Sequence, residues 1–266
     1  MLRRTRHAVR RSRRCDSDGR DVTDVGPSIP AAWRQRGPNE GGQPEIPAAT
    51  VVLVRDGRDS LEVLLLKRAG TTSFAADAWV FPGGRVEPSD ADDGDVFSIV
   101  AARRAAARET EEEAGIILDS GDLQAFAHWT PGPEAPKRFA TWTLFGPVGP
   151  ETEVRIDGGE IVDHQWISPS RALDEHRLGR IAMLPPTWMT LLRLSSYPSV
   201  VAARAEVAEA PIERFSSRVA TTAACRVVLW SGDAGYQTLD ADAPGARHRL
   251  YLDDRGWRYE RIVDTD

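Results

Sequence analysis

Lysine is all but missing from this 266-residue chain: only Lys67 and Lys137 stand among its 34 basic residues, and the rest are arginines. Cysteine is as scarce. Cys15 and Cys225 are the whole complement, the first in a Gly- and Arg-rich stretch, which argues against a disulfide framework and fits a reducing, cytoplasmic setting. Long apolar runs are also absent. The longest, Val51 to Val54 and Val63 to Leu66, have the length of strands, so no membrane association is expected. Nor is there an excess of positive charge: the net charge of -6 argues against a general nucleic-acid binder, which usually carries a basic footprint. What is present is 41% hydrophobic residues, enough for a sizeable core. The one basic concentration is Arg3, Arg4, Arg6, Arg10, Arg11, Arg13 and Arg14, without the apolar segment of a secretory signal behind it. Residues 1–45 read as a disordered Arg-rich tail.

Residues 108–116 read Arg-Glu-Thr-Glu-Glu-Glu-Ala-Gly-Ile. On a helix, Glu109, Glu112 and Glu113 at i, i+3 and i+4 share one face. Three ionised carboxylates so close repel, and a hard divalent cation such as Mg²⁺ or Mn²⁺ would relieve them. The competing reading is a solvated acidic helix end, which suits Glu111.

Order is expected from about Ile46. Strands at Thr50–Arg55 and Leu61–Lys67 flank a turn at 56–60 and read as a hairpin. Trp79-Val80-Phe81-Pro82-Gly83-Gly84 is a short strand halted by Pro and Gly. The helix is expected to start near Val96, capped by Asp95, and to end at Ala114 with Gly115 as C-cap. Ala102, Ala105 and Ala106 share the carboxylate stripe and allow a close approach to a sheet. Ile116–Leu118 reads as a strand, followed by strands at Gln124–Trp129, Phe139–Phe145 and Gly159–Ile167. A helix begins at Ser168–Pro169, and residues 185–208 have the character of one long helix. Beyond Pro211, Arg226–Trp230, Arg247–Leu252 and Trp257–Ile262 alternate like strands.

Gly84 together with residues 108–116 resembles the Nudix box, in which a Gly precedes R-E-U-x-E-E-x-G-U with U apolar. Five fixed letters match, a coincidence met about once per million windows on average composition. Thr110 stands where the family has an apolar residue. Asp90 replaces the glutamate usually found six residues after the glycine, and residues 91–107 make the box longer than usual. Phe81 to Asp90, Ser73-Phe74, His128 to Pro131, Arg138-Phe139 with Thr141, Arg247 to Arg249 and Trp257 to Tyr259 look like the branch of the acyl-coenzyme A diphosphatases. Ala140, Trp142, Thr143 and Leu144 depart from that branch, losing an Asp and an Arg. The resemblance implies an α/β fold: a Nudix-type α/β/α sandwich with a mixed sheet over 46–180, plus a helical and β-rich C-terminal extension, 181–266.

It also implies a site. Glu112, Glu113 and the carbonyl of Gly84 would ligate Mg²⁺ or Mn²⁺, Glu109 would be ligand or base, and Arg108 would orient Glu109. Glu160 is a candidate further ligand or base, with Glu153 and Glu134 behind it. Lys137, Arg138, Phe139 and Trp129 are candidate substrate contacts, although strand aromatics more often fill core. His128, His164 and His248 show no ligand spacing. The implied reaction is hydrolysis of the diphosphate linkage in a small nucleoside-diphosphate derivative, with coenzyme A or its acyl esters as candidates. ADP-ribose, dinucleotides and oxidised nucleotides are the alternatives. A non-catalytic nucleotide-binding sensor is the alternative of another class, and a homodimer is left open.

Overall fold

The computed structural model describes residues 43–70, 75–92, 94–133, 135 and 137–263. Residues 1–42 of the expected tail, Ser73-Phe74 and Glu134 therefore lie outside the described residues, and Glu45, expected in the tail, already belongs to a strand.

Strand β1, Glu45–Asp56, is the spine of an eight-stranded mixed sheet. One edge runs parallel to β6, Arg138–Pro147, over ten residues from Glu45 opposite Arg138 to Val54 opposite Pro147. Its other edge is shared: the first half pairs antiparallel with β4, Gly83–Arg85, and the last residues with β2, Leu61–Arg68. Beyond β2 lie β3, Trp79–Val80, and β7, Ile161–Ile167. Beyond β6 come β5, Gln124–Thr130, and β8, Glu213–Ser216, the latter parallel to β5.

Both faces of this sheet are covered, which is why β1 and β2 read as continuous apolar runs rather than as alternation. Val51, Leu53, Leu64 and Leu66 pack under helix α1, Ile99–Ala114, against Ala101, Ala102, Ala105 and Ala106. Val52, Val54, Val63 and Leu65 point the other way, onto α2 (Pro169–Arg177), α3 (Pro185–Leu194) and α4 (Val200–Glu209). The same cluster takes in Val228, Trp230, Leu250, Leu252 and Trp257, so the C-terminal residues complete one core with β1 and β2. They belong to an antiparallel sheet of β9 (Arg218–Thr221), β10 (Arg226–Leu229), β11 (Arg247–Leu252) and β12 (Arg258–Ile262). The class is α/β, as expected. No helix among the described residues is long and apolar enough to cross a membrane.

Four local expectations need correction. The cap of α1 is Ser98, whose hydroxyl accepts from the Ala101 N–H at 3.1 Å, so the helix starts three residues late. Asp95 instead accepts from Phe97 N in the preceding turn. Ile116–Leu118 joins no strand, and Ile117 is 81% exposed. The long helix is two, separated by Ser195–Ser199, where Pro198 cannot supply a helical N–H and Ser199 caps α4. Strands β8 and β9 were hidden by short length and polar composition.

Candidate active site

The small-residue stripe on α1 decides how close the helix can come to the sheet, and its consequence appears at Gly84. A Cβ built there would sit 2.4 Å from the Glu109 carboxyl carbon, so the carboxylate rests against bare backbone. Its neighbour Gly83 has φ of +149°, and a Cβ there would meet the Ala49 carbonyl oxygen at 2.3 Å. The Gly83 N–H donates to Glu113 Oε2 at 2.9 Å. The glycine pair thus brings β4 under two of the three carboxylates.

The three differ in environment. Glu113 is 6% exposed, and burial pushes its carboxyl up to about 8 against the pull of the Gly83 N–H, with Glu109 and Glu160 adding to the rise and Arg68 opposing it. Glu109 is also raised, chiefly by burial, against its bond to Arg108. Glu112 has a side chain 58% exposed and reaches Arg108 Nη1 at 3.3 Å. Thr110, 0% exposed, is tolerated because its hydroxyl donates to the Ala106 carbonyl at 2.6 Å.

Arg108 is fixed from every side. Nε and Nη2 grip Asp90 at 3.2 and 3.0 Å, Nη2 also donates to the Arg85 carbonyl, and Nη1 donates to Glu109 at 2.9 Å. The bond to Asp90 is the main cause of the raised guanidinium pKa, opposed by burial. Asp90 is 5% exposed and further accepts from the Glu87 N–H at 2.8 Å, closing the short turn at Pro88–Asp90. The shorter acidic residue therefore reaches Arg108, and the extra residues before α1 leave this clamp intact.

Glu160 stands at the same cluster: its charge raises both Glu109 and Glu113, and its carboxylate pairs with Arg68 Nη2. Among the described residues, no three acidic, histidine or cysteine side chains are yet gathered tightly enough to hold a metal ion. Each carboxylate is tied to a protein donor instead: Glu113 to Gly83, Glu109 and Glu112 to Arg108, Glu160 to Arg68.

The family model of the NUDIX domain matches residues 44–185, more than half of the chain. The chain belongs to the Nudix domain family. A crystal structure of a Nudix hydrolase from Alicyclobacillus acidocaldarius superposes with a TM-score of 0.56 at 24% identity, covering 64% of this chain and 98% of that one. A Caenorhabditis elegans relative provisionally named nudix hydrolase 7 is 29% identical over 184 residues, 56% of this chain. The chain spans 60% of the length of that curated relative.

Within this Nudix domain, Trp129 and Arg138, two of the four candidate substrate contacts, have protein partners of their own. Trp129 is 4% exposed, stacks on Phe215 at 3.9 Å and belongs to the core on the sheet face opposite α1. A cavity of about 380 Å³ on that face is lined in part by Trp129, Phe215, Met189 and Arg193. Arg138 donates to the Pro131 and Gln43 carbonyls and pairs with Glu45 at 2.8 Å, tethering the start of β1 to β6. Phe139 lies 5.7 Å from the Arg85 guanidinium. Lys137 precedes β6 at the same end of that strand. Glu153 pairs with Arg155 on the surface. Arg68 and Gly83 join the site only in the fold. Gly83 has a legible signal in the Pro-Gly-Gly that halts the short strand, whereas Arg68 ends an apolar strand and has none.

Proposed function

We propose that this Nudix domain is a divalent-cation-dependent hydrolase that cleaves the diphosphate bridge of a nucleoside-diphosphate derivative. The observation that carries the reading is the carboxylate face of α1 laid on the glycine turn, with Glu109 against the bare backbone of Gly84, Glu113 bonded to the Gly83 N–H and Arg108 fixed beside them. Glu109 and Glu113 have pKa values raised chiefly by burial, and the donor set is all hard oxygen, which fits Mg²⁺ or Mn²⁺.

Glu112, Glu113, Glu109, Glu160 and the Gly84 carbonyl would hold the cation. Glu112 and Glu160, with side chains 58% and 51% exposed, have room to rotate into such a set. When bound, the cation neutralises the bridge oxygens, stabilises the leaving phosphate and lowers the pKa of the attacking water. Arg108 orients Glu109, and Asp90 in turn holds Arg108. Where Glu109 serves as base and not as ligand, it would accept the proton that the water gives up. Gly83 fixes the Glu113 carboxylate at the sheet, so one arm of the site is rigid while Glu112 and Glu160 adjust.

Coenzyme A or its acyl esters are the substrates we place first, supported by sequence resemblance alone, at residues 81–90 and the shorter segments that accompany them. ADP-ribose, dinucleotides and oxidised nucleotides are the alternatives. Purified protein with Mg²⁺ or Mn²⁺ is to be offered this panel and the products identified by mass spectrometry. We expect cation-dependent cleavage at the bridge of at least one compound. Tight binding of a nucleotide with no product from any of them would replace the enzyme by a sensor module.

A further inference from the structure

Arg68 has a different standing from Arg108. All three guanidinium nitrogens of Arg108 are engaged by Asp90, Arg85, Glu109 and Glu112. Arg68 has a side chain only 17% exposed, yet among the described residues its Nε is buried without a hydrogen-bond partner, and Nη2 is paired with the half-exposed Glu160. A buried N–H left unmade is costly, so its presence beside a cluster of carboxylates calls for a ligand acceptor.

The backbone explains how the guanidinium comes to lie there. The register of β2 against β7 slips between Lys67 and Arg68, an irregularity of the kind that can turn a side chain out of the regular alternation. At the same junction the Ala69 N–H donates to the Glu160 carbonyl at 2.8 Å, so one irregularity places both members of the pair. The Arg68 charge also opposes the rise at Glu113, so the guanidinium lies within electrostatic reach of the cluster.

We infer that Arg68 binds an outer oxygen of the substrate's diphosphate and that Glu160 is its placeholder. This rests on the diphosphate reading above. A site of carboxylates alone repels an anionic bridge, and a planar guanidinium with spare donors suits phosphate oxygens. Once Glu160 is committed to the cation, the Arg68 fork is released and its unpaired Nε acquires an acceptor.

The test uses calorimetry on the full chain with two probes, Mn²⁺ alone and adenosine 5′-(α,β-methylene)diphosphate in the presence of Mn²⁺. For Arg68→Gln we expect analogue affinity to fall by about tenfold or more while Mn²⁺ binds as in the wild type or more tightly. Arg68→Lys should recover part of the loss, and circular dichroism melts confirm that both variants fold. Wild-type binding with an unaffected Arg68→Gln variant overturns the inference and leaves the diphosphate reading standing. Loss of Mn²⁺ together with the analogue also overturns it, because Arg68 would then be supporting the site's structure. Failure of the wild type to bind the analogue removes the diphosphate reading and the inference with it.

Discussion

Glu113 sets burial against charge more sharply than its two neighbours on the helix. Its carboxyl is pushed from the ordinary 4.5 to about 8 in the folded chain, mainly by desolvation. A raised carboxyl pKa means that the folded state prefers the proton. Its stabilising effect is complete below about 4.5 and disappears as pH rises through about 8. In the metal-free protein, Glu113→Gln is therefore expected to be nearly neutral at acid pH. At pH above 8 it should be stabilising by an amount on the order of a few kcal/mol, read as a higher thermal midpoint. The same variant should abolish turnover, and an active variant would refute the metal-site assignment. Cation binding requires the Glu113 proton to leave, so Mn²⁺ affinity should climb as pH rises toward about 8 and level off above it. An affinity independent of pH over that range would contradict a ligand role for Glu113.

At the scale of elements, the site depends on how α1 meets β4. Gly84→Ala places a methyl at 2.4 Å from the Glu109 carboxyl, the flexible end of a long side chain. The expected outcome is a thermal midpoint close to that of the wild type with Mn²⁺ affinity lowered by about tenfold, equivalent to one displaced charged contact. Retained affinity would show that Glu109 and Gly84 are not joint parts of the cation site. Asp90→Ala tests the turn before α1. It leaves the Arg108 guanidinium without its bidentate partner and should cost about 2 kcal/mol, with Asp90→Glu restoring some of it. Urea unfolding measures both. Equal stability of Asp90→Ala and the wild type would show that the clamp does not support the helix.

For the molecule as a whole, the question is whether the C-terminal sheet folds with the Nudix sheet or apart from it. Trp230 is 0% exposed and packs edge-on to Trp129 at 6.1 Å and to Phe215 at 5.2 Å, linking β10 to β5 and β8. In the same C-terminal region, Arg249 and Asp233 form a bidentate ion pair at 2.6 and 2.7 Å with side chains 1% and 0% exposed. Asp233 also accepts from the His248 and Gly235 backbone N–H groups, so the carboxylate is fully satisfied. Removing one member strands the other in the interior. Asp233→Ala is expected to cost about 3–5 kcal/mol, and Trp230→Ala a similar amount through the cavity it leaves. Because one buried apolar cluster joins both sheets, each variant should shift tryptophan fluorescence and far-ultraviolet circular dichroism transitions together. Two separated transitions would show that the sheets unfold independently.

The sequence by itself determined the carboxylate face of α1, the glycine turn, the C-cap at Gly115 and the apolar runs of β1 and β2. These are local patterns, fixed by helical spacing, backbone freedom and strand length. It did not disclose the break at Ser195–Ser199 or strands β8 and β9, whose residues gain their conformation from pairing partners far along the chain. Trp129 and Arg138 show the same division: residue type suggested substrate contacts, whereas packing on Phe215 and pairing with Glu45 committed them elsewhere. Asp90 reads as a departure from the family pattern until the fold carries its carboxylate to Arg108, 18 residues away. Only the tertiary structure decided that Arg68 and Glu160, 92 residues apart, meet at the glutamates of α1, because a strand bulge and a long-range backbone hydrogen bond leave no periodicity to read.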